Sequence, residues 1–199
     1  MLISEDMLFR YGGELLRFSK NDFIFREAET PKFYYQIIRG EVKLNNYQQD
    51  GKEFIHSLPT VGHCIGETFL FSDSPYPVNA EVMTDGSEVM RLTRSKFFEL
   101  LGQDPQIFRK LYHYTAERMY YRYVMMNLIT ASDPVHKVKG LMDCLKNYHK
   151  KTGLYSYQIP YTRKEMASLT NLRVETVIRI IKNMEKDQLL QIRNRKIFY

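Results

Sequence analysis

The sequence predicts an α+β chain in three parts: an N-terminal antiparallel β-roll, a long dimerisation helix and a C-terminal winged helix-turn-helix. Three observations carry this. Short β-rich runs separated by glycine turns fill residues from about 15 to 92. An apolar heptad seam follows Asp104-Pro105. The last 38 residues, Thr162 to Tyr199, hold two short helical runs joined by a tight turn. The expected boundaries are 1–103 for the roll, 104–132 for the helix and hinge, and 133–199 for the helix-turn-helix domain.

In the first part, Phe23-Ile24-Phe25, Tyr34 to Ile38, Glu41 to Leu44, Glu53 to Leu58 and Ala80 to Met83 read as strands. Arg39-Gly40, Asp50-Gly51, Val61-Gly62 and Asp85-Gly86 supply the turns between them. Short strands at roughly ten-residue spacing suggest a small antiparallel roll. Such a roll either fills its interior with side chains or holds one small ligand there.

The long helix opens at Asp104 as cap with Pro105 at its first position. From there Ile107, Leu111, Tyr114, Arg118, Tyr121, Met125 and Leu128 step by alternate fours and threes, a heptad seam containing one arginine. A second row runs beside it through Phe108, Thr115, Met119, Arg122, Met126 and Ile129. One face can pack on the roll and the other on a second copy of the chain. Leu111, Tyr114, Arg118, Tyr121, Met125 and Leu128 are the expected homodimer interface. At Ala131-Ser132-Asp133-Pro134 the pattern restarts, marking a hinge and a further helix to about Lys150.

The end of the chain is the most informative stretch. Thr162 followed by Glu165 is a capping box, each side chain reaching the other's backbone N–H. Asn171 suits the turn, where positive φ is useful. In the second helix Val174, Val177, Ile178, Ile181 and Met184 form the expected apolar face, with Arg173, Glu175, Thr176, Arg179 and Lys182 largely opposite. Glu175 and Arg179 lie one turn apart. On an arbitrary helix they would be a surface ion pair worth a few tenths of a kcal/mol, roughly 0.2–0.5. After a capped helix and a tight turn they read instead as base readers, since arginine suits guanine O6 and N7 and glutamate accepts from cytosine N4. A strand from Tyr155 to Ile159, and two more at Gln191 to Arg193 and Lys196 to Tyr199 around Asn194-Arg195, would make a β-wing.

Charge argues in the same direction. Residues 1–132 carry 15 Lys and Arg against 17 Asp and Glu; residues 133–199 carry 14 against 6. The chain's net charge of +6 is therefore confined to the last third, the footprint of a phosphate-binding module. At 44% hydrophobic residues a sizeable core is available. No run of about 18 apolar residues suggests a membrane span. Met1-Leu2-Ile3-Ser4-Glu5-Asp6 lacks the regions of a signal peptide. Cys64 and Cys144, without a CxxC, read as reduced thiols of a cytoplasmic protein.

Read in order, several segments together resemble the Crp/Fnr superfamily of bacterial transcription regulators over nearly the whole chain. They are Tyr34-Tyr35-Gln36-Ile37-Ile38-Arg39-Gly40-Glu41-Val42, Asp50-Gly51-Lys52-Glu53, Gly62-His63-Cys64-Ile65-Gly66-Glu67, Thr162-Arg163-Lys164-Glu165 and Val174-Glu175-Thr176-Val177-Ile178-Arg179. The resemblance implies a cyclic-nucleotide-binding-type roll, a dimerising helix and a winged helix. It implies a homodimer on palindromic double-stranded DNA, acting with RNA polymerase, with an unidentified small-molecule effector possible and no membrane partner. Glu175 and Arg179 match family positions that read a TGA-type core in each half-site. Val174 is similar to the Fnr-type helix rather than the Crp-type, which has arginine there. Arg173 stands where a serine cap is common and is expected at phosphate. Thr162, Arg163, Thr176 and Lys182 complete the expected DNA-contacting set.

Members that bind cyclic AMP follow Gly-Glu with a loop carrying Arg-Ser or Arg-Thr, the arginine pairing with the cyclic phosphate. Here Gly66-Glu67 is kept, but the corresponding stretch is Pro75-Tyr76-Pro77-Val78-Asn79-Ala80, without arginine. The expected effector pocket is Gly66, Glu67, Val78 and Asn79, with Arg122 and Tyr123 from the long helix, although dimer packing is an equal reading of Arg122. Strong cyclic AMP binding is not expected. Two distant cysteines are too few for an iron–sulfur cluster. His63 and Cys64 are haem-ligand types, but a lone strand histidine is more often structural, and no cofactor or metal is expected. No P-loop, H-E-x-x-H or Ser/His/Asp set points to an enzyme. The alternative is a nucleotide-responsive module acting without DNA; the basic wing and the Glu175/Arg179 pair argue against it.

Overall fold

Short strands with glycine turns make the first half of the molecule a pair of antiparallel sheets, with apolar clusters packed against them. The computed structural model describes residues 1–72 and 74–199. The chain divides into two compact units, Met1–Ala116 and Glu117–Tyr199. The division falls inside the long helix rather than at its start.

The first unit begins with helix α1 (Glu5–Arg10) and strand β1 (Glu14–Phe18), both unread in the sequence, then β2 (Phe23–Phe25), β3 (Phe33–Arg39), β4 (Val42–Tyr47) and β5 (Glu53–Ser57). A short β6 (Cys64–Ile65) leads into a 3-10 turn (Glu67–Phe71), followed by β7 (Asn79–Val82), β8 (Ser87–Thr93) and helix α2 (Arg94–Gln103). Two four-stranded antiparallel sheets result, in the orders β1-β8-β3-β6 and β2-β7-β4-β5. The four glycines read as turns, Gly40, Gly51, Gly62 and Gly86, all have positive φ. β3 is apolar on both faces, and the structure explains why. Tyr35 and Ile37 join Val42, Leu44, Ala80 and Val82 between the sheets, while Tyr34 joins Leu92, Phe97 and Leu100 under α1, α2 and the start of α3 (Pro105–Thr130). Gln36 is buried among them because its amide is satisfied: Nε2 donates to Ile3 O at 2.8 Å, and Oε1 accepts from Ile3 N and the Tyr34 hydroxyl.

The outward face of β4, β5 and β7 carries a polar cluster. Lys43 Nζ lies 2.7 Å from Glu53 and 3.0 Å from Glu81, and Tyr47 and Asn45 both donate to Glu81. Burial works to raise the Glu81 carboxyl, but hydrogen bonds from Tyr47, Lys43 and Asn45 outweigh it and hold its pKa below the usual range.

The second unit holds the rest of α3, then α4 (Pro134–Tyr148), β9 (Gln158–Ile159), α5 (Arg163–Thr170), α6 (Val174–Lys186), β10 (Gln191–Arg193) and β11 (Lys196–Phe198). Asp133 caps α4 as expected, accepting from Val135 N and His136 N, and the helix ends at Tyr148, two residues before Lys150 turns to positive φ. The strand expected over Tyr155 to Ile159 is confined to Gln158–Ile159, although Tyr157 and Tyr199 exchange backbone hydrogen bonds beside it.

Part of the row expected at a dimer seam is packed within its own chain. Leu111, expected at a dimer seam, lies in the core of the first unit at 4% exposed, with Ile107 one turn before it. Tyr114 packs against the same core and against the His63 ring. In the second unit Tyr121 meets Tyr148 edge-on at 4.9 Å, and Leu128 sits over Gly140 of α4. Arg118 and Met125 are half-buried. The large side chains left in solvent are Phe108, Met119 and Met126 of the neighbouring row, Tyr112 and Tyr123 beside them, and Tyr120. A heptad period locates two candidate seams but does not say which one the chain's own folding consumes.

Candidate nucleic-acid interface

The helix-turn-helix is built by local chemistry. Thr162 and Glu165 form the full capping box, the Glu165 carboxylate accepting from Thr162 N at 2.6 Å and the Thr162 hydroxyl from Glu165 N at 3.2 Å. Asn171 ends α5 in the left-handed region at φ 54, which turns the chain sharply enough for α6 to start at Val174. Val177, Ile180, Ile181 and Met184 bury one face of α6. Here the sequence pattern misplaces one residue: Ile178 is 38% exposed, and Ile180, at 5%, takes the buried position. Both choices fit an apolar period, and packing against α4 and α5 selects one.

The opposite face carries Arg173, Glu175, Arg179 and Lys182, all exposed, with Thr176 half-buried. Among the described residues none of those four charged side chains is held by a hydrogen bond or ion pair, although Glu175 and Arg179 are one turn apart. The surface ion pair that would account for them without DNA is not formed. Arg173 occupies the N-cap position of α6 without a side-chain capping bond. Arg163 differs: its Nη1 donates to Arg195 O at 2.8 Å and ties the start of α5 to the wing.

The wing is a three-stranded sheet in the order β10-β11-β9. Arg193 pairs with Lys196 across a two-residue loop whose members, Asn194 and Arg195, have φ 49 and 64. Positive φ at both positions is the type I′ geometry that suits a tight hairpin. Basic groups therefore cluster at its tip.

The expected effector residues divide. Gly66, at φ +70, faces the roll interior, where a Cβ would lie 2.9 Å from the Tyr76 ring and 3.0 Å from Phe25. Those two rings stack at 3.8 Å, and Val78 shares their core. Asn79 is committed to main chain, accepting from Glu27 N and donating to Asn45 O. Glu67 is buried and lines a hollow of about 200 Å³ with Thr68, Phe71, Phe108, Leu111, Tyr112 and Thr115. Arg122 and Tyr123 belong to the second unit, both exposed. Sequence reasoning missed Tyr76. It is 3% exposed, burial pushes its hydroxyl pKa up, and its oxygen has no hydrogen-bond partner among the described residues. The signal was a bulky aromatic between Pro75 and Pro77, in the very loop where arginine was sought.

The haem-ligand types also have structural roles. Cys64 is fully buried in the core, and His63 Nδ1 accepts from Thr60 N at 3.1 Å. Among the described residues no three His, Cys, Asp or Glu side chains converge as a metal site, and no helix is long and apolar enough to cross a membrane.

Comparison with known proteins fits this architecture part by part. Residues 15–104 match the cyclic nucleotide-binding domain family, and residues 141–198 match the Crp-like helix-turn-helix domain. The cAMP-activated global transcriptional regulator CRP of Salmonella typhimurium is 24% identical over 182 residues, spanning 91% of this chain and 87% of that protein. The Haemophilus influenzae regulator of the same name is 26% identical over 181 residues, 90% of this chain and 80% of that one. Among solved structures, the c-di-GMP responsive global regulator CLP of Xanthomonas campestris superposes with a TM-score of 0.77 at 19% identity, covering 96% of this chain and 95% of that chain. FixK2 from Bradyrhizobium japonicum gives 0.74 at 22% identity, covering 94% and 91%. With both domain families present in the expected order and the fold shared along nearly all its length, the chain belongs to the Crp/Fnr superfamily of DNA-binding transcription regulators.

Proposed function

We propose that this regulator binds palindromic DNA as a homodimer and reads each half-site with the exposed face of α6. The observation that carries this is the set of exposed charged side chains Glu175, Arg179 and Lys182, free of internal pairing, on a capped helix-turn-helix in the basic third of the chain. Glu175 and Arg179 read base edges in a TGA-type core. Arg173, Thr176 and Lys182 hold the flanking backbone, and Thr162 with the wing supplies further phosphate contacts. Arg163 acts mainly by fixing the wing. The exposed stripe of α3, Phe108, Tyr112, Met119, Tyr123 and Met126, is the dimer seam, and it sets the two recognition helices about 34 Å apart, one turn of the duplex. RNA polymerase is the partner through which such a dimer acts on transcription.

The relatives named above include cAMP-activated regulators, but cyclic AMP does not control this chain. Two features support that reading. Residues 75–80 offer no arginine for a cyclic phosphate. Tyr76 and Phe25 fill the space beside Gly66. Any effector is a different small molecule. Selection from a random DNA pool by the purified protein, without added ligand, tests the main reading: a palindrome with a TGA-type core should be enriched. Equal affinity for that site and its scrambled version refutes base reading. Calorimetry with cyclic AMP should show no micromolar binding.

A further inference from the structure

Ile178 interrupts a charged surface. A single exposed isoleucine is ordinary and by itself means nothing. Its position is what matters: it directly precedes Arg179, and stands one turn from both Glu175 and Lys182. At 3.6 residues per turn, these four side chains fall within an arc of about 100°. The helix has a separate buried face, filled by Val177, Ile180, Ile181 and Met184, so the core makes no demand on this side chain. At 38% exposed it lies in the surface that would meet DNA.

The major groove offers one apolar group at a base edge, the C5 methyl of thymine. Lysine, arginine and glutamate recognise hydrogen-bonding atoms and gain nothing from that methyl. A β-branched side chain on a helix has one strongly preferred χ1, so its methyl groups point in a fixed direction before binding. We propose that Ile178 is the methyl-reading residue of α6, packing on the C5 methyl of one thymine in each half-site beside the pairs contacted by Glu175 and Arg179. This rests on the DNA-binding reading above and deepens it by assigning a specificity-determining role that charge cannot supply. The contact excludes water from the methyl and discriminates thymine from cytosine, whose edge has no methyl at that position.

The test uses the site selected by the full-length wild-type protein, with each thymine replaced in turn by uracil. This removes the methyl and leaves every hydrogen-bonding atom in place. At one symmetric pair of positions the wild type should lose about fourfold in affinity per half-site, the effect of withholding one methyl group from burial. Ile178→Ala should bind the thymine site more weakly by a similar factor and no longer distinguish thymine from uracil there. Ile178→Val, which keeps the branched methyls, should retain most of the distinction. A wild type indifferent to uracil at every position of a selected palindrome overturns the assignment and leaves the DNA reading standing. So does an Ile178→Ala protein that still shows the full discrimination. A wild type that selects no sequence overturns both.

Discussion

At the scale of single residues, the proposed base reading rests on the exposed face of α6, and the reading of the roll rests on Tyr76 stacked on Phe25. Arg179→Ala should lose about 1–3 kcal/mol of specific binding and relax preference at one base pair, measured by titrating cognate and single-substituted duplexes. Unchanged affinity would move base reading elsewhere. Tyr76 gives the opposite kind of prediction. Its ring is packed, but its hydroxyl is buried without a partner among the described residues, so Tyr76→Phe should leave stability unchanged or raise it by about 1 kcal/mol. Tyr76→Ala should cost about 3–5 kcal/mol in denaturant unfolding, because it leaves a cavity against Phe25 and Gly66. The exposure of Glu175 and Arg179 one turn apart was legible in the sequence, since residue type and spacing define it. Ile178 and Tyr76 were not. An apolar period does not separate Ile178 from Ile180, and the absence of an arginine does not reveal which ring fills its place.

At the scale of elements, each part of the molecule is held by a few identifiable contacts. The capping box, the left-handed Asn171 and the type I′ wing turn were readable, because each depends on neighbours in sequence. Strands β1 and β8 were not, since their pairing closes a sheet across the whole first unit: Leu16 lies opposite Val89. The cluster on β4, β5 and β7 was equally hidden, being assembled from Lys43, Glu53 and Glu81. It carries a pH prediction. Because the folded-state pKa of Glu81 is depressed, its contribution to stability is present above the ordinary glutamate range and is lost as pH falls through the lower folded-state value. Glu81→Gln should therefore lower the melting temperature at neutral pH, with the difference from wild type shrinking toward acid. A constant difference across the titration would remove the ionised carboxylate from the account.

At the scale of the whole molecule, two compact units share one long helix, and its exposed stripe is the feature with most to say about assembly. Met119→Arg with Met126→Arg should give a folded monomer by sedimentation, with binding to the palindrome lost and a non-specific, salt-sensitive affinity remaining. A double variant that stays dimeric would place the seam on another surface. The heptad pattern suggested a dimer helix, yet only three-dimensional packing showed that Ile107, Leu111 and Tyr114 of that row pack on the chain's own core. The stripe also has a quantitative consequence for the proposed dimer. While chains are mostly monomeric, dimer concentration follows the square of chain concentration, so doubling expression raises operator occupancy about fourfold at low occupancy. On the proposed reading, synthesis and turnover of the protein become an input, and the apolar face of α3 becomes the gain stage that sharpens it.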